Sequence, residues 1–195
     1  MADGDGPCES SPGHHARTSA VSEATDLFVN TLRSFIRDVP DFPQPGIVFR
    51  DITPLLRDHF GATVDALGEV LPAARWREID AVAGIESRGF ILAAALAARH
   101  GKGFVPIRKK GKLPPPVVER TYSLEYGSGV LEMQRGSGTL LLIDDVLATG
   151  GTLRAAADLC LDAGHVVAEL AVLIDLNLVP DLRWRELPVH AVIRY

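Results

Sequence analysis

Residues 140–153, Leu-Leu-Leu-Ile-Asp-Asp-Val-Leu-Ala-Thr-Gly-Gly-Thr-Leu, constrain the fold more than any other stretch of the chain. Leu140 to Ile143 is an unbroken apolar run, the pattern of a strand covered on both faces of a parallel sheet. Asp144 and Asp145 follow at its expected carboxyl end, where open α/β sheets place their ligands. Ala148, Thr149, Gly150, Gly151 and Thr152 then make a bend poor in Cβ atoms, and a helix is expected to start near Thr152. Such a bend lets backbone N–H groups converge, and the helix dipole adds positive potential, so the arrangement suits a phosphate. Asp and Gly are also ordinary turn formers, and either pair alone would indicate only a strand–turn–helix junction. Together they say more, because two adjacent carboxylates repel each other unless a cation or a hydroxyl-rich group meets them. No lysine follows the glycines, so this is not a Walker A loop, and the G-x-G-x-x-G fingerprint is absent. The residues therefore indicate a phosphate joined to a polyol.

The bulk of the chain sets outer bounds. Its 195 residues suit one domain with a full core, expected over residues 22–195. The first 21 residues are rich in Gly, Ser, Pro and Asp, and are expected to be a disordered tail with no secretory signal. A net charge of −5 argues against general nucleic-acid affinity, so an anionic ligand must be drawn by a local basic cluster. No apolar run reaches the ~18 residues of a membrane-spanning helix, so no membrane partner is expected. The two cysteines, Cys8 and Cys160, support neither a disulfide framework nor a Cys-based metal site, which fits a reducing cytoplasm.

Strand and helix patterns alternate through the middle of the chain, so a mostly parallel sheet is expected. Leu27 to Val39 has helical spacing after a Ser22 N-cap, and Pro40, Pro43 and Pro45 then enforce a stiff loop. A short helix starts at Thr53-Pro54, and a longer one is expected over 58–71, stopped by Pro72. Strands are expected at 79–85, 104–108, 166–176 and 189–194, with helices over 89–100 and 153–163. Residues 119–125 and 130–134 read as a hairpin turning at Gly127-Ser128-Gly129.

Three further clusters carry chemistry. Arg108, Lys109, Lys110 and Lys112 leave the end of a buried strand and enter a Pro/Gly loop; by composition they fit a lid and a solvated face equally well. Gly84-Ile85-Glu86-Ser87-Arg88-Gly89-Phe90 ends another strand and opens a helix, where Arg88 can fork onto a phosphate or simply sit on the surface. Phe42-Pro43-Gln44-Pro45-Gly46-Ile47-Val48-Phe49-Arg50-Asp51-Ile52 reads alone as a rigid turn leading into a buried aromatic.

The order of FP-x-PGI-x-FRDI, GIESRGF, IRKKGKLP, YSLEYG and DD-x-LATGGT closely resembles that of the adenine phosphoribosyltransferases, over roughly residues 25–195. The resemblance implies the type I phosphoribosyltransferase fold, an α/β architecture whose mostly parallel twisted sheet is flanked by helices, with a flexible hairpin lid and a small N-terminal hood. It implies conversion of adenine and phosphoribosyl pyrophosphate (PRPP) to AMP and pyrophosphate, with Mg²⁺ as cofactor, by a homodimer. By the same likeness Asp144 and Asp145 meet the ribose hydroxyls, directly or through metal and water, and Ala148 to Thr152 bind the 5′-phosphate. Ser87, Arg88, Arg108, Lys109 and Lys112 are assigned to the pyrophosphate side, and the Glu86–Ser87 peptide is expected to be cis. Phe49 is assigned to stacking on the purine, with Val48 and Arg50 at its edge.

Ala148 discriminates between bases. The hypoxanthine-guanine enzymes carry an acid at the corresponding place, and Ala148 cannot handle a proton. The matching proton partner is Glu125 of Tyr122-Ser123-Leu124-Glu125-Tyr126-Gly127, a residue that otherwise reads as a charge on an exposed hairpin. Val117 and the run Pro114-Pro115-Pro116 depart from the family pattern and bear on loop motion. The rival readings are a phosphoribosyltransferase for another base and a non-catalytic PRPP-sensing regulator; the latter would need a DNA-reading module that the acidic chain does not offer.

Overall fold

The computed structural model describes residues 27–124 and 127–195. The expected tail and Glu125 lie outside those residues. The chain divides into two compact units, Met1–Ile52 and Thr53–Tyr195.

In the first unit, residues 27–34 are helical (α1), followed by strands β1 (Arg37–Pro40) and β2 (Val48–Asp51). The two strands pair antiparallel, with Val39 opposite Phe49. Val39 therefore belongs to a strand and not to the expected helix; the pairing with β2 outweighs its helical spacing. Ion pairs Arg37–Asp51, at 2.8 Å, and Arg50–Asp38 flank the ladder. The connecting turn is closed by the Gly46 N–H, which donates to Asp41 Oδ1 at 2.8 Å, and by an edge-on contact between the Phe42 and Phe49 rings at 5.2 Å.

The second unit is built on an eight-stranded sheet. Its parallel centre comprises β3 (Ala81–Ile85), β4 (Gly103–Lys109), β7 (Thr139–Leu147), β8 (Val166–Asp175) and β10 (Leu187–Arg194). Their spatial order is β4-β3-β7-β8-β10. The antiparallel hairpin of β5 (Val118–Leu124) and β6 (Gly127–Met133) extends the sheet beyond β4, and the two-residue β9 (Arg183–Trp184) caps the other edge. The helices are α2 (Thr53–Asp58), α3 (Phe60–Glu69), α4 (Ala73–Glu78), α5 (Arg88–His100) and α6 (Gly151–Asp162).

The sheet centre shows why the run at 140–143 had to be apolar throughout. All four residues are at most 1% exposed, because helices cover both faces. Leu140 and Leu142, with Ala83 and Ile85 of β3, join a core cluster with Leu153, Ala156 and Leu159 of α6. The opposite face of β3 meets α5 so closely that a Cβ on Gly84 would lie 2.8 Å from the Ala93 Cβ.

Four local expectations are corrected. Pro72 does not end the helical region but N-caps α4, a position where its missing N–H costs nothing. The expected helix over 58–71 is broken at His59, where φ is −133°. The ladder between β5 and β6 continues to Leu124 opposite Gly127, so Gly127, Ser128 and Gly129 are strand residues and not the expected turn. Gly129 is needed there because the ring of its cross-strand partner Tyr122 occupies the space of a Cβ, 2.7 Å away. Lastly, β7 runs four residues past Ile143, so both acids lie within it and not after its end.

Candidate active site

The acids owe their setting to a divergence of strands. The pairing of β7 with β3 stops at Ile143, opposite Gly84, whereas its pairing with β8 continues to Leu147, opposite Asp175. Asp144 and Asp145 thus sit where one neighbour has left, and a cleft opens beside them. The first turn of α5 fills one side of it. A Cβ on Gly89 would meet both Asp144 Oδ1 and the Ile143 carbonyl at 3.0 Å, so only glycine lets the helix come this close. That approach brings Arg88 Nε to 2.8 Å from Asp145 Oδ2.

Asp145 is 6% exposed, and its N–H donates to Asp144 Oδ1 at 2.9 Å. Burial, then the neighbouring carboxylate, push the Asp144 carboxyl well above its ordinary range. Burial also raises Asp145, with Arg88 opposing the rise. Despite the ion pair, Asp145 Oδ2 has no aligned hydrogen-bond donor, an unusual condition for a buried oxygen. Among the described residues no group of three or more His, Cys, Asp or Glu side chains could hold a metal. The acidic pair nevertheless fits Mg²⁺, an ion that takes one or two carboxylates and draws its other oxygens from phosphate and water.

The bend after β7 is compact. Gly150 has φ +82°, and a Cβ there would strike the Leu182 side chain. No side chain caps α6, so the N–H groups of its first turn remain available to an anion. Ala148 is half-buried and Thr149 exposed, and Gly151 begins the helix. Of the five loop residues, Thr152 lines the cavity.

A third wall comes from β3 and β4. The Glu86–Ser87 peptide is cis, as expected. Glu86 Oε2 accepts from Arg108 Nε at 3.2 Å and from the Lys109 N–H at 3.1 Å. Burial works against ionisation of Glu86, but these bonds and the adjacent cations outweigh it and hold its carboxyl below the ordinary range. The Arg108 guanidinium also lies over the Phe90 ring, 5.9 Å from its centre.

These elements enclose a cavity of about 710 Å³, within the usual range for small-molecule sites. It brings together Ser87, Arg88, Lys109, Asp144, Asp145 and Thr152 of the expected residues. Arg108 reaches it through Glu86. Lys112 is not in its lining and contributes backbone contacts instead. Val48, Phe49 and Arg50 stand on β2 of the first unit. Glu86, Lys110, Tyr122 and Val130 also line the cavity, and none had been assigned a role. Glu86 was visible in the GIESRGF motif; Tyr122 and Val130 become site residues only when the hairpin folds beside β4.

Known proteins share these features. A family model for the phosphoribosyl transferase domain matches residues 64–185. The adenine phosphoribosyltransferase of Bdellovibrio bacteriovorus is 51% identical over 168 residues, covering 84% of this chain and 99% of that protein. The crystal structure of the Rhodothermus marinus adenine phosphoribosyltransferase superposes with a TM-score of 0.76 at 43% identity, over 87% of this chain and 99% of that one. The Saccharomyces cerevisiae enzyme, solved with an imino-altritol bisphosphate and adenine, gives a TM-score of 0.77 at 33% identity, over 86% and 99% of the two chains. With an acidic pair, a Gly/Thr bend and a basic wall meeting on a type I phosphoribosyltransferase sheet, the chain belongs to the phosphoribosyltransferase family, among the adenine phosphoribosyltransferases.

Proposed function

We propose that this chain transfers the 5-phosphoribosyl group of PRPP to adenine, releasing AMP and pyrophosphate. One observation carries the reading: a buried acidic pair, Asp144 and Asp145, shares a cavity with Arg88, Lys109 and Lys110. Such a cavity matches a ligand that is a polyol at one end and a polyanion at the other. The relatives support adenine as acceptor, including the yeast enzyme solved with that base.

In this mechanism the C1′–oxygen bond to pyrophosphate breaks with its electron pair, and adenine N9 forms the new bond to C1′. Asp144 and Asp145 hold the ribose hydroxyls, and the N–H groups of 148–152 hold the 5′-phosphate, so the sugar stays fixed as C1′ changes partner. Arg88 and the lysines stabilise the charge growing on the leaving group. Asp144 and Asp145 are the residues that would hold Mg²⁺ together with PRPP, and the ion would supply further positive charge against the pyrophosphate. Glu125 shares the proton at adenine N7, which leaves N9 free to attack, and takes that proton as the N9–C1′ bond forms, and Val48, Phe49 and Arg50 receive the base; these roles rest on the resemblance. The hairpin acts as the lid that excludes water from the cationic sugar. A cytoplasmic homodimer is part of the same reading.

The test is to incubate the protein with PRPP, Mg²⁺ and each free base in turn. AMP and pyrophosphate are expected with adenine; product with guanine or hypoxanthine and none with adenine would overturn the assignment.

A further inference from the structure

Glu132 is an acid in an unusual place. It lies on β6 between Leu131 and Met133, and the three residues are 2%, 1% and 0% exposed respectively. Alternate strand residues face opposite sides, so β6 is buried on both faces at residues 131–133. An acid on the inner side is costly unless its oxygens are satisfied. Glu132 is satisfied by backbone alone. Its Oε2 accepts from the Gly111 N–H at 2.9 Å, and its Oε1 accepts from Lys112 N–H and Leu113 N–H, both at 2.6 Å. Three successive N–H groups converging on one anion form a nest of the kind that binds phosphates, except that here the anion belongs to the protein.

We propose that Glu132 is a positioning residue for the pyrophosphate side of the cavity, holding the 109–113 backbone in the conformation that presents Lys109 to the ligand; the Lys110 ammonium on the same loop is paired with Glu119 Oε2 at 2.7 Å. The ligand's identity rests on the functional reading above. The loop is otherwise poorly held. It turns through Gly111 at φ +81°, a conformation with little intrinsic preference, and its residues 109–112 are exposed. Glu86 fixes its start through the Lys109 N–H, the Lys110 N–H donates to the Val130 carbonyl at 3.0 Å, and the Arg108 guanidinium bonds to the Lys112 carbonyl at 3.0 Å. Glu132 completes this set from beneath. Because it binds N–H groups and no ammonium, it orders the lysine-bearing backbone without neutralising the lysines. Burial works against its ionisation, but the three N–H bonds and Arg108 prevail and keep it an anion at neutral pH.

The test measures binding of inorganic pyrophosphate to the full chain by calorimetry, for the parent and for Glu132→Gln. An amide retains one acceptor oxygen but turns an NH₂ against a backbone donor. Pyrophosphate affinity and KM for PRPP are expected to worsen by about tenfold, the scale of losing one charge-assisted hydrogen bond, with KM for adenine unchanged. Amide exchange should quicken at residues 111–113. Glu132→Asp, one methylene too short to reach all three donors, should show the same split and serves if the Gln variant fails to fold. Parent-like pyrophosphate affinity in a folded variant whose 111–113 amides exchange faster would overturn the proposal. A parent protein that binds pyrophosphate through Glu132 yet transfers nothing to adenine would instead leave this inference standing and remove the functional reading.

Discussion

At the residue scale, Asp144 shows function placed at the expense of stability. Its carboxyl is raised by burial and by Asp145, so the folded protein holds this proton more tightly than the unfolded chain does. The stabilisation from the protonated form is complete below the ordinary carboxyl pKa of ~3.9 and is lost as pH rises through the raised value. At neutral pH, where the unfolded chain would carry the carboxylate, burying Asp144 beside Asp145 is therefore a burden on the fold. Asp144→Asn is expected to raise Tm at pH 7 by about 2–4 °C, and the difference should shrink as pH falls towards 4. Transferase activity should fall sharply in the same variant. Thermal scans across that pH range decide the matter; a difference that does not vary with pH would show that the acids are not strained by their burial.

At the element scale, the β5–β6 hairpin was expected to be a free lid, but its base is tied to the body. Arg120 on β5 pairs with Asp158 at 2.8 Å and Asp162 at 2.6 Å, both on α6, and the Trp184 Nε1–H donates to Asp158 at 2.9 Å. The same helix begins at the Gly150-Gly151 bend after β7, so α6 joins the hairpin and that bend in one element. These ion pairs are partly exposed and each contributes little to global stability. Arg120→Ala is expected to lower Tm only slightly while quickening amide exchange along Val118–Leu124 and leaving β3 and β7 unchanged. Hydrogen-exchange mass spectrometry would show this; unaltered exchange in the hairpin would mean that packing alone holds it. The pairing of Gly127, Ser128 and Gly129 within β6, where a turn was expected, belongs to this scale as well. Gly127-Ser128-Gly129 has turn composition, but Gly129 serves a cross-strand ring, a requirement local sequence does not display.

At the scale of the whole molecule, a chain of net charge −5 builds a cavity with a cationic wall. Among the described residues no group of three or more His, Cys, Asp or Glu side chains could cage a metal, so an ion at the acidic pair is expected to arrive with the substrate and exchange readily. EDTA is expected to abolish turnover and added Mg²⁺ to restore it, with no loss of folded structure by circular dichroism; turnover that persists in the chelator would remove the metal from the mechanism.

What the residues alone determined was the class of fold and the chemistry of the ligand. A continuous apolar run, two acids and a Gly/Thr bend are local facts, and strand burial and phosphate binding follow from backbone physics within about fifteen residues. The motif order then pointed to the family. What only the tertiary structure decided was which side chains converge. That β3 parts from β7 at Ile143, that Gly89 lets α5 press on Asp144, and that Glu132 reaches residues about twenty positions earlier in the chain all depend on contacts between distant segments. Such contacts leave no periodicity in the sequence, because their cause is the close approach of backbones brought together only when the sheet has formed.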